Sequence, residues 1–197
     1  MKTLSIVMLA AGFSRRFGSN DKLLAKLTKD RDEQTVLGSS LSSFDQKSFK
    51  EKILVVNDTR HPASAIGTEK GWTIVENKRA SIGMGSSLAA GVNAIATCDG
   101  LMIALADMPF IQTDTVEFLI SCFHNAPKDT IVAPAYHEKR GHPVIFPSFF
   151  FSMLMKLKSD QGARQIIDAS MDQLTLAPVN DRGVCRDIDS REDLAWD

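Results

Sequence analysis

Short apolar runs recur along the chain, many of them β-branched: residues 4–9, 53–57, 72–76, 101–105, 130–135, 143–146 and 174–179. Several are continuous rather than alternating, which is the pattern of strands covered on both faces. Between them lie helix-length segments at 34–44, 86–97, 113–124, 148–157, 161–169 and 190–195, several opening on Ser, Thr or Asp as caps. Such alternation predicts an α/β fold with one mostly parallel, twisted sheet and helices on both faces. With 197 residues, 44% of them hydrophobic, one domain over 1–197 is expected. Ligands of such sheets bind at the carboxyl ends of strands, where strand order reverses. The loops that matter are therefore 10–22, 77–87 and 106–109, and the turn at Arg140. The charged, aperiodic segment 28–34 reads as a surface loop.

Charge and cysteine content narrow the function classes. A formal net charge of -1, with no long run of one sign, argues against a nucleic-acid partner or an anionic membrane surface. Cys98, Cys122 and Cys185 are far apart and form no metal-ligand spacing, so unpaired thiols in a reducing compartment are expected. The apolar N-terminal segment is short and runs into Arg15 and Arg16, unlike a signal peptide, and no run approaches the roughly 18 apolar residues of a spanning helix. A cytoplasmic protein is the expectation.

The first loop, "LAAGFSRRFGSNDK" (9–22), carries the chemistry. Small residues at Ala10, Ala11 and Gly12 let a ligand approach the backbone, and Arg15, Arg16 and Lys22 supply cations suited to a polyphosphate. A solvated basic turn is the competing reading. The loop is no Walker A motif: Gly12 to Gly18 is one residue too long and Lys22 does not follow the glycine. "GMGSSL" (83–88) meets a dinucleotide fingerprint only by half. Asp107 follows the apolar run 101–105 and precedes Pro109, a stiff perch for a hard carboxylate ligand such as Mg²⁺ prefers. The alternative, a helix cap, is weakened because Thr113 and Asp114 already offer caps. Ser86 and Ser87, at the start of segment 86–97, present hydroxyls and amides for phosphate oxygens or act as a simple N-cap.

These stretches carry a resemblance. "LAAGFSRRFGSNDK", "GMGSSLAAGV" (83–92), "ALADMPFI" (104–111), "RGHPVIF" (140–146), "SDQGARQII" (159–167) and "DIDSREDL" (187–194) are similar, in order, to the MobA-like nucleotidyltransferases. The match is nearest their molybdenum cofactor cytidylyltransferase branch. The resemblance implies a Rossmann-like fold of the nucleotide-diphospho-sugar transferase type. It implies transfer of CMP from CTP to the phosphate of molybdenum cofactor, with release of pyrophosphate. By the same resemblance, Leu9, Ala10, Ala11, Gly12, Gly83, Ser86, Ser87 and Asp107 contact the nucleotide. Arg16 and Lys22 contact its phosphates and, with Asp107, form the catalytic set. Asp107 holds Mg²⁺, with Asp189, favoured over Asp187, as second ligand. Asp189 has its own bland reading, since Ser190 and Asp193 form a capping box. Arg140, Gly141 and His142 face the acceptor, although His142 serves equally well as a hydrogen-bonding member of its turn.

Relatives of the family that use GTP tend to read "LAGG" where this chain reads "LAAG", so Ala11 implies cytosine; packing of Ala11 against a helix is the alternative. The chain departs from the family at Phe17, usually methionine, and at Gln34 and Thr35, where a glycine and a basic residue are usual. Other readings are a guanylyltransferase of the same fold, an NAD(P)-dependent oxidoreductase, and a non-catalytic carrier of molybdenum cofactor. A molybdenum hydroxylase of the xanthine dehydrogenase type would receive the product. "FPSFFFSMLM" (146–155) is either core or a docking face for that enzyme.

Overall fold

The structure is a computed structural model that describes residues 1–12, 17, 21–27, 34–158 and 162–195. Its strands are β1 (Leu4–Leu9), β2 (Phe49–Val56), β3 (Thr73–Glu76), β4 (Gly100–Leu105), β5 (Ile131–Tyr136), β6 (Lys139–Arg140), β7 (Val144–Pro147) and β8 (Leu174–Pro178). The helices are α1 (Val36–Ser42), α2 (Pro62–Glu69), α3 (Met84–Asn93), α4 (Thr113–Asn125), α5 (Phe151–Leu154) and α6 (Arg164–Asp168). All strands join one sheet in the order β3-β2-β1-β4-β7-β5-β6, with β8 added along β5. The pairings β1 with β2, β1 with β4, β2 with β3 and β5 with β8 are parallel. β7 runs antiparallel to both β4 and β5, and β6 is antiparallel to β5. The sheet is thus mostly parallel, with β6 and β7 reversed.

The continuous apolar runs have the cause expected of them. Alternate residues of each strand feed two separate cores. Ile6, Met8, Leu54, Val56, Met102 and Ala104 pack with Leu37 and Leu41 of α1 and Val116, Leu119 and Phe123 of α4. Val7, Ile53, Val55, Leu101 and Ile103 pack with Leu88 and Val92 of α3 and with Leu154, Ile166 and Ile167 of α5 and α6. Each such fully buried aliphatic or aromatic side chain contributes about 1.5–3 kcal/mol. Helices therefore cover both faces, and the carboxyl ends of all parallel strands emerge along one edge.

Two elements differ from the sequence expectation. α2 is absent from the expected helices because it buries Ala63, Ser64 and Gly67 rather than large apolar residues. A Cβ at Gly67 would stand 2.6 Å from Leu54 Cδ2, so the helix lies too close to the sheet for a side chain there. The two-residue β6 is too short to leave a pattern. Elsewhere the elements are shifted or shorter than expected. Helix 86–97 becomes α3, beginning at Met84. Segment 148–157 is a 3₁₀ turn, Ser148–Phe150, followed by α5, and 190–195 holds only the 3₁₀ turn Glu192–Leu194. Segment 28–33 lies outside the described residues.

In "FPSFFFSMLM", Phe150 and Leu154 are buried while Phe149 and Met153 are exposed, so the stretch is core on one side only. No described helix is long and apolar enough to cross a membrane. The three cysteines are unpaired.

Candidate functional site

Strand order reverses between β1 and β4, since the chain leaves β1 for β2 and β3 on one side and returns to β4 on the other. Leu9 and Leu105 stand opposite each other at the carboxyl ends of this pair. Beyond them opens a cleft of about 560 Å³, lined by Leu9 to Gly12, Gly83, Ser87, Lys22, Asp107, Asp187 and Asp189, among others. Two sequence positions expected to meet are thereby brought together from loops 85 residues apart.

Lys22 is the hub. Its Nζ donates to Asp107 Oδ2 at 2.6 Å and to the Ile188 carbonyl at 3.0 Å, and lies 3.8 Å from Asp189 Oδ1. The lysine and Asp107 side chains are 14% and 22% exposed while Asp189 is 49% exposed, so the inner pair is the more desolvated and the stronger. Lys22 opens a 3₁₀ turn, Lys22–Leu24, capped by Asp21, whose Oδ1 accepts from the Leu23 N–H at 2.8 Å. Asp107 is held through its backbone. Ser40 and Ser39 of α1 and its C-cap residue Ser43 donate to the carbonyls of Ala106, Pro109 and Ile111 at 2.8, 2.9 and 2.7 Å, tying the loop after β4 to the helix.

A C-terminal strap, residues 181–189, delivers the remaining carboxylates. Asp181 is buried and accepts from the Gln112 and Gly183 N–H groups, both at 2.9 Å. The Ile188 N–H donates to the Asp107 carbonyl at 2.8 Å. Close backbone passage explains two glycines: a Cβ at Gly183 would lie 2.3 Å from the Phe110 carbonyl, and one at Gly141 2.2 Å from that of Val184. Asp193 closes the strap by accepting from the N–H groups of Asp189 and Ser190 and from Ser190 Oγ. Burial would raise its pKa, but these bonds outweigh burial and leave it lowered. Of the capping box read from Ser190 and Asp193 only the return half forms, Asp193 accepting from the Ser190 N–H; the turn Glu192–Leu194 has Arg191 as its N-cap, with no side-chain cap bond, and Asp189 lines the cleft. Thr113 and Asp114 do not cap α4: its N-cap is Gln112, which makes no side-chain cap and whose N–H is taken by Asp181.

On the far wall, Asn77 follows β3 and organises the glycine turn. Its buried amide donates to Ser86 Oγ at 2.9 Å and Ser87 Oγ at 3.0 Å and accepts from the Arg79 N–H. Gly83, the N-cap of α3, has φ 132°, a conformation open essentially to glycine alone. Ser87 lines the cleft; Ser86 instead donates to the carbonyls of Arg79 and Gly83, and its hydroxyl serves the turn. Asn77 and Asp181 escape sequence reading because their partners are backbone groups and hydroxyls that only the fold brings near.

The expected acceptor trio sits apart from the cleft lining. Arg140 Nη1 lies 3.7 Å from Asp168 Oδ1. Gly141 and His142 donate their N–H groups to the Pro134 and Val184 carbonyls. His142 Nδ1 is buried without a partner among the described residues. Burial pushes the imidazole pKa down to about 4, with Arg140 acting in the same sense and a backbone bond at Ile103 and Asp187 opposing. It is a neutral ring at neutral pH. Arg16 lies outside the described residues.

The donor set fits a hard divalent ion. Asp107 and Asp189 enter the cleft from two loops and offer carboxylate oxygens of the kind Mg²⁺ selects, so they are the residues that would hold such an ion. Among the described residues no cluster of three His, Cys, Asp or Glu side chains forms. An ion here would complete its shell with substrate oxygens and water, the usual habit of Mg²⁺ at phosphates.

Ala11 is 5% exposed, and its methyl belongs to the core on the α3 side while also lining the cleft. Thr35 caps α1 by accepting from the Gly38 N–H, which accounts for one of the three departures from the family pattern.

Comparison with known proteins agrees with this geometry. Residues 6–174 match the model of the MobA-like NTP transferase domain. Among curated relatives, the purine catabolism protein PucB of Bacillus subtilis is 32% identical over 95% of this chain and 92% of its own. The nicotine blue oxidoreductase of Paenarthrobacter nicotinovorans is 26% identical over 95% and 93%. The molybdenum cofactor guanylyltransferase of Shewanella piezotolerans is 28% identical over 83% and 76%. A nucleotidyl transferase structure from Methanothermobacter superposes with a TM-score of 0.81 at 17% identity, covering 98% of this chain and 94% of that one, a likeness of fold.

Proposed function

Starting from the fact that the chain belongs to the MobA-like NTP transferase domain family, we propose that it is a Mg²⁺-dependent cytidylyltransferase acting on molybdenum cofactor. The observation that carries the reading is the Lys22 ammonium set between the Asp107 and Asp189 carboxylates at the strand-reversal cleft. An ammonium between carboxylates at such a cleft suits in-line transfer between phosphates, where positioning and charge neutralisation do the catalysis. A terminal phosphate oxygen of the cofactor attacks the α-phosphorus of CTP. The bond from that phosphorus to the bridging oxygen breaks, and pyrophosphate leaves with the electron pair.

Lys22 is close enough to the carboxylates to exchange one of them for a phosphate oxygen as the triphosphate enters. The backbone of Leu9 to Gly12 and of the turn at Gly83 lies open to the nucleotide, and Ser87 offers a hydroxyl. Mg²⁺, held by Asp107 and Asp189, would neutralise charge on the triphosphate. Arg140, Gly141 and His142 remain the proposed acceptor side, with Arg16 as a further phosphate contact. Cytosine is supported by Ala11, and the acceptor by the name of the guanylyltransferase relative. The relative named for purine catabolism fits delivery to a molybdenum hydroxylase of the xanthine dehydrogenase type, xanthine being a purine.

The test is pyrophosphate release by the purified protein given CTP, molybdenum cofactor and Mg²⁺. Asp107→Ala should remove at least 100-fold of the rate, about 2.7 kcal/mol or more of transition-state stabilisation. Equal rates for Asp107→Ala and wild type would sink the mechanism. A preference for GTP would leave the transferase and discard the base assignment. Turnover of NADPH instead would place this chain with its oxidoreductase relative, and tight cofactor binding without pyrophosphate would make it a carrier.

A further inference from the structure

We infer that His61, the residue that opens α2, is a positioning residue for the catalytic lysine. The inference rests on the nucleotidyl-transfer reading and goes beyond it. His61 Nε2 stands 2.6 Å from Asp21 Oδ2, with both side chains about seven-tenths buried at 29% and 27% exposure. The same histidine is the N-cap of α2, where its Nδ1 accepts from the Ala63 N–H at 3.2 Å. Because Nδ1 accepts, the ring's proton in its neutral form lies on Nε2 and is donated to Asp21. Both nitrogens are engaged at once, each toward a different element.

Asp21 is divided in the same way. One oxygen takes the histidine, and the other caps the turn Lys22–Leu24 through the Leu23 N–H. The path is continuous: α2 fixes His61, His61 fixes Asp21, and Asp21 fixes the backbone from which Lys22 reaches Asp107 and the Ile188 carbonyl. A three-residue 3₁₀ turn has little stability of its own, so an anchor on a helix of the main fold sets where its first side chain begins. His61 does not line the cleft, so it touches no substrate and acts only through Asp21.

The ring's two nitrogens can be tested separately. In His61→Asn the amide oxygen stands where Nδ1 stood and keeps the cap, while the donor to Asp21 is lost. In His61→Gln the amide nitrogen stands where Nε2 stood and keeps that donor, while the cap is lost. Activity and stability should therefore part company. His61→Asn should unfold at the wild-type temperature yet lose about 10- to 100-fold in kcat, as a displaced catalytic group does. His61→Gln should melt lower yet keep its kcat within about threefold of wild type.

Hydrogen exchange on the free proteins supplies a readout independent of turnover. The Leu23 amide should exchange faster in His61→Asn and at the wild-type rate in His61→Gln. If kcat falls in step with melting temperature across the two variants, or if Leu23 exchange is unchanged in His61→Asn, the positioning role is overturned. Should the wild-type protein transfer no nucleotide while Leu23 responds as stated, the functional reading falls and the His61–Asp21 anchor stands.

Discussion

Lys22 shows how much one side chain does when two carboxylates share it. Removing the ammonium in Lys22→Ala deletes a charged contact and leaves Asp107 partly buried without its 2.6 Å partner. Weaker nucleotide binding and slower transfer are expected, with one charged hydrogen bond worth about 1.5–3 kcal/mol, or roughly 10- to 150-fold. Titration calorimetry with CTP and Mg²⁺ checks the first part, and wild-type affinity would reduce the loop to a solvated turn. His142 makes a different prediction, in pH. Its folded pKa of about 4 lies below the ordinary 6.5, so between these values the unfolded chain binds a proton the folded chain refuses. Stability from this residue is complete above pH 6.5 and is lost as pH falls toward 4, by no more than about 3 kcal/mol. Urea unfolding from pH 7 to 4.5 should show a steeper decline for wild type than for His142→Gln; parallel curves would refute the assignment. That Asp107 lines the cleft was legible from its place just after a strand, and Lys22 and Asp189 were singled out through the resemblance their motifs carry. Asn77, Asp21 and His61 were not, since each takes its role from a partner across the fold.

Among the elements, the strap 181–189 decides whether the cleft has its outer carboxylates at all. It is fastened by Asp181 at one end and by the Ile188 bond to Asp107 near the other, with Gly183 pressed on the Phe110 carbonyl between. A methyl at Gly183 must displace backbone rather than a pliable side chain. Gly183→Ala should cost about 1–3 kcal/mol and also lower transfer, because the strap moves Asp189 and the Ile188 carbonyl away from Lys22. Chemical denaturation and the pyrophosphate assay measure the two effects; a fully active, fully stable variant would show that the strap tolerates the shift. The strands were readable because a strand covered on both faces must be apolar along nearly all of its length, as β4 and, but for Ser5, β1 are. α2 was hidden for the opposite reason: a helix that packs through Ala63 and Gly67 presents no large apolar face, so its signal lies in residues chosen for smallness. The helix expected over 190–195 is only the 3₁₀ turn Glu192–Leu194: Ser190 and Asp193 supply one half of a capping box, the Ser190 N–H donating to Asp193, and the turn's N-cap, Arg191, makes no side-chain cap.

For the molecule as a whole, a formal charge of -1 conceals an excess of carboxylates among the described residues of the cleft. Among the described residues that line it, Asp107, Asp187 and Asp189 face a single ammonium, that of Lys22. A nucleoside triphosphate would meet net repulsion there unless cations accompany it, so binding and divalent ion should be coupled. Thermal unfolding tests this directly. A ligand at 100 times its dissociation constant stabilises by about 2.7 kcal/mol, which for a chain of this size is a rise of roughly 5–10 °C. CTP with Mg²⁺ should give that shift, and a chelator should abolish most of it. On the proposed cytidylyl reading Ala11 bears on which base is accepted, because its methyl is held by the core on the α3 side and lines the cleft. Ala11→Gly should therefore narrow the gap between CTP and GTP. If wild type responds to CTP without divalent ion, the acidic lining does not govern binding, and Arg15 and Arg16 must carry the triphosphate's charge.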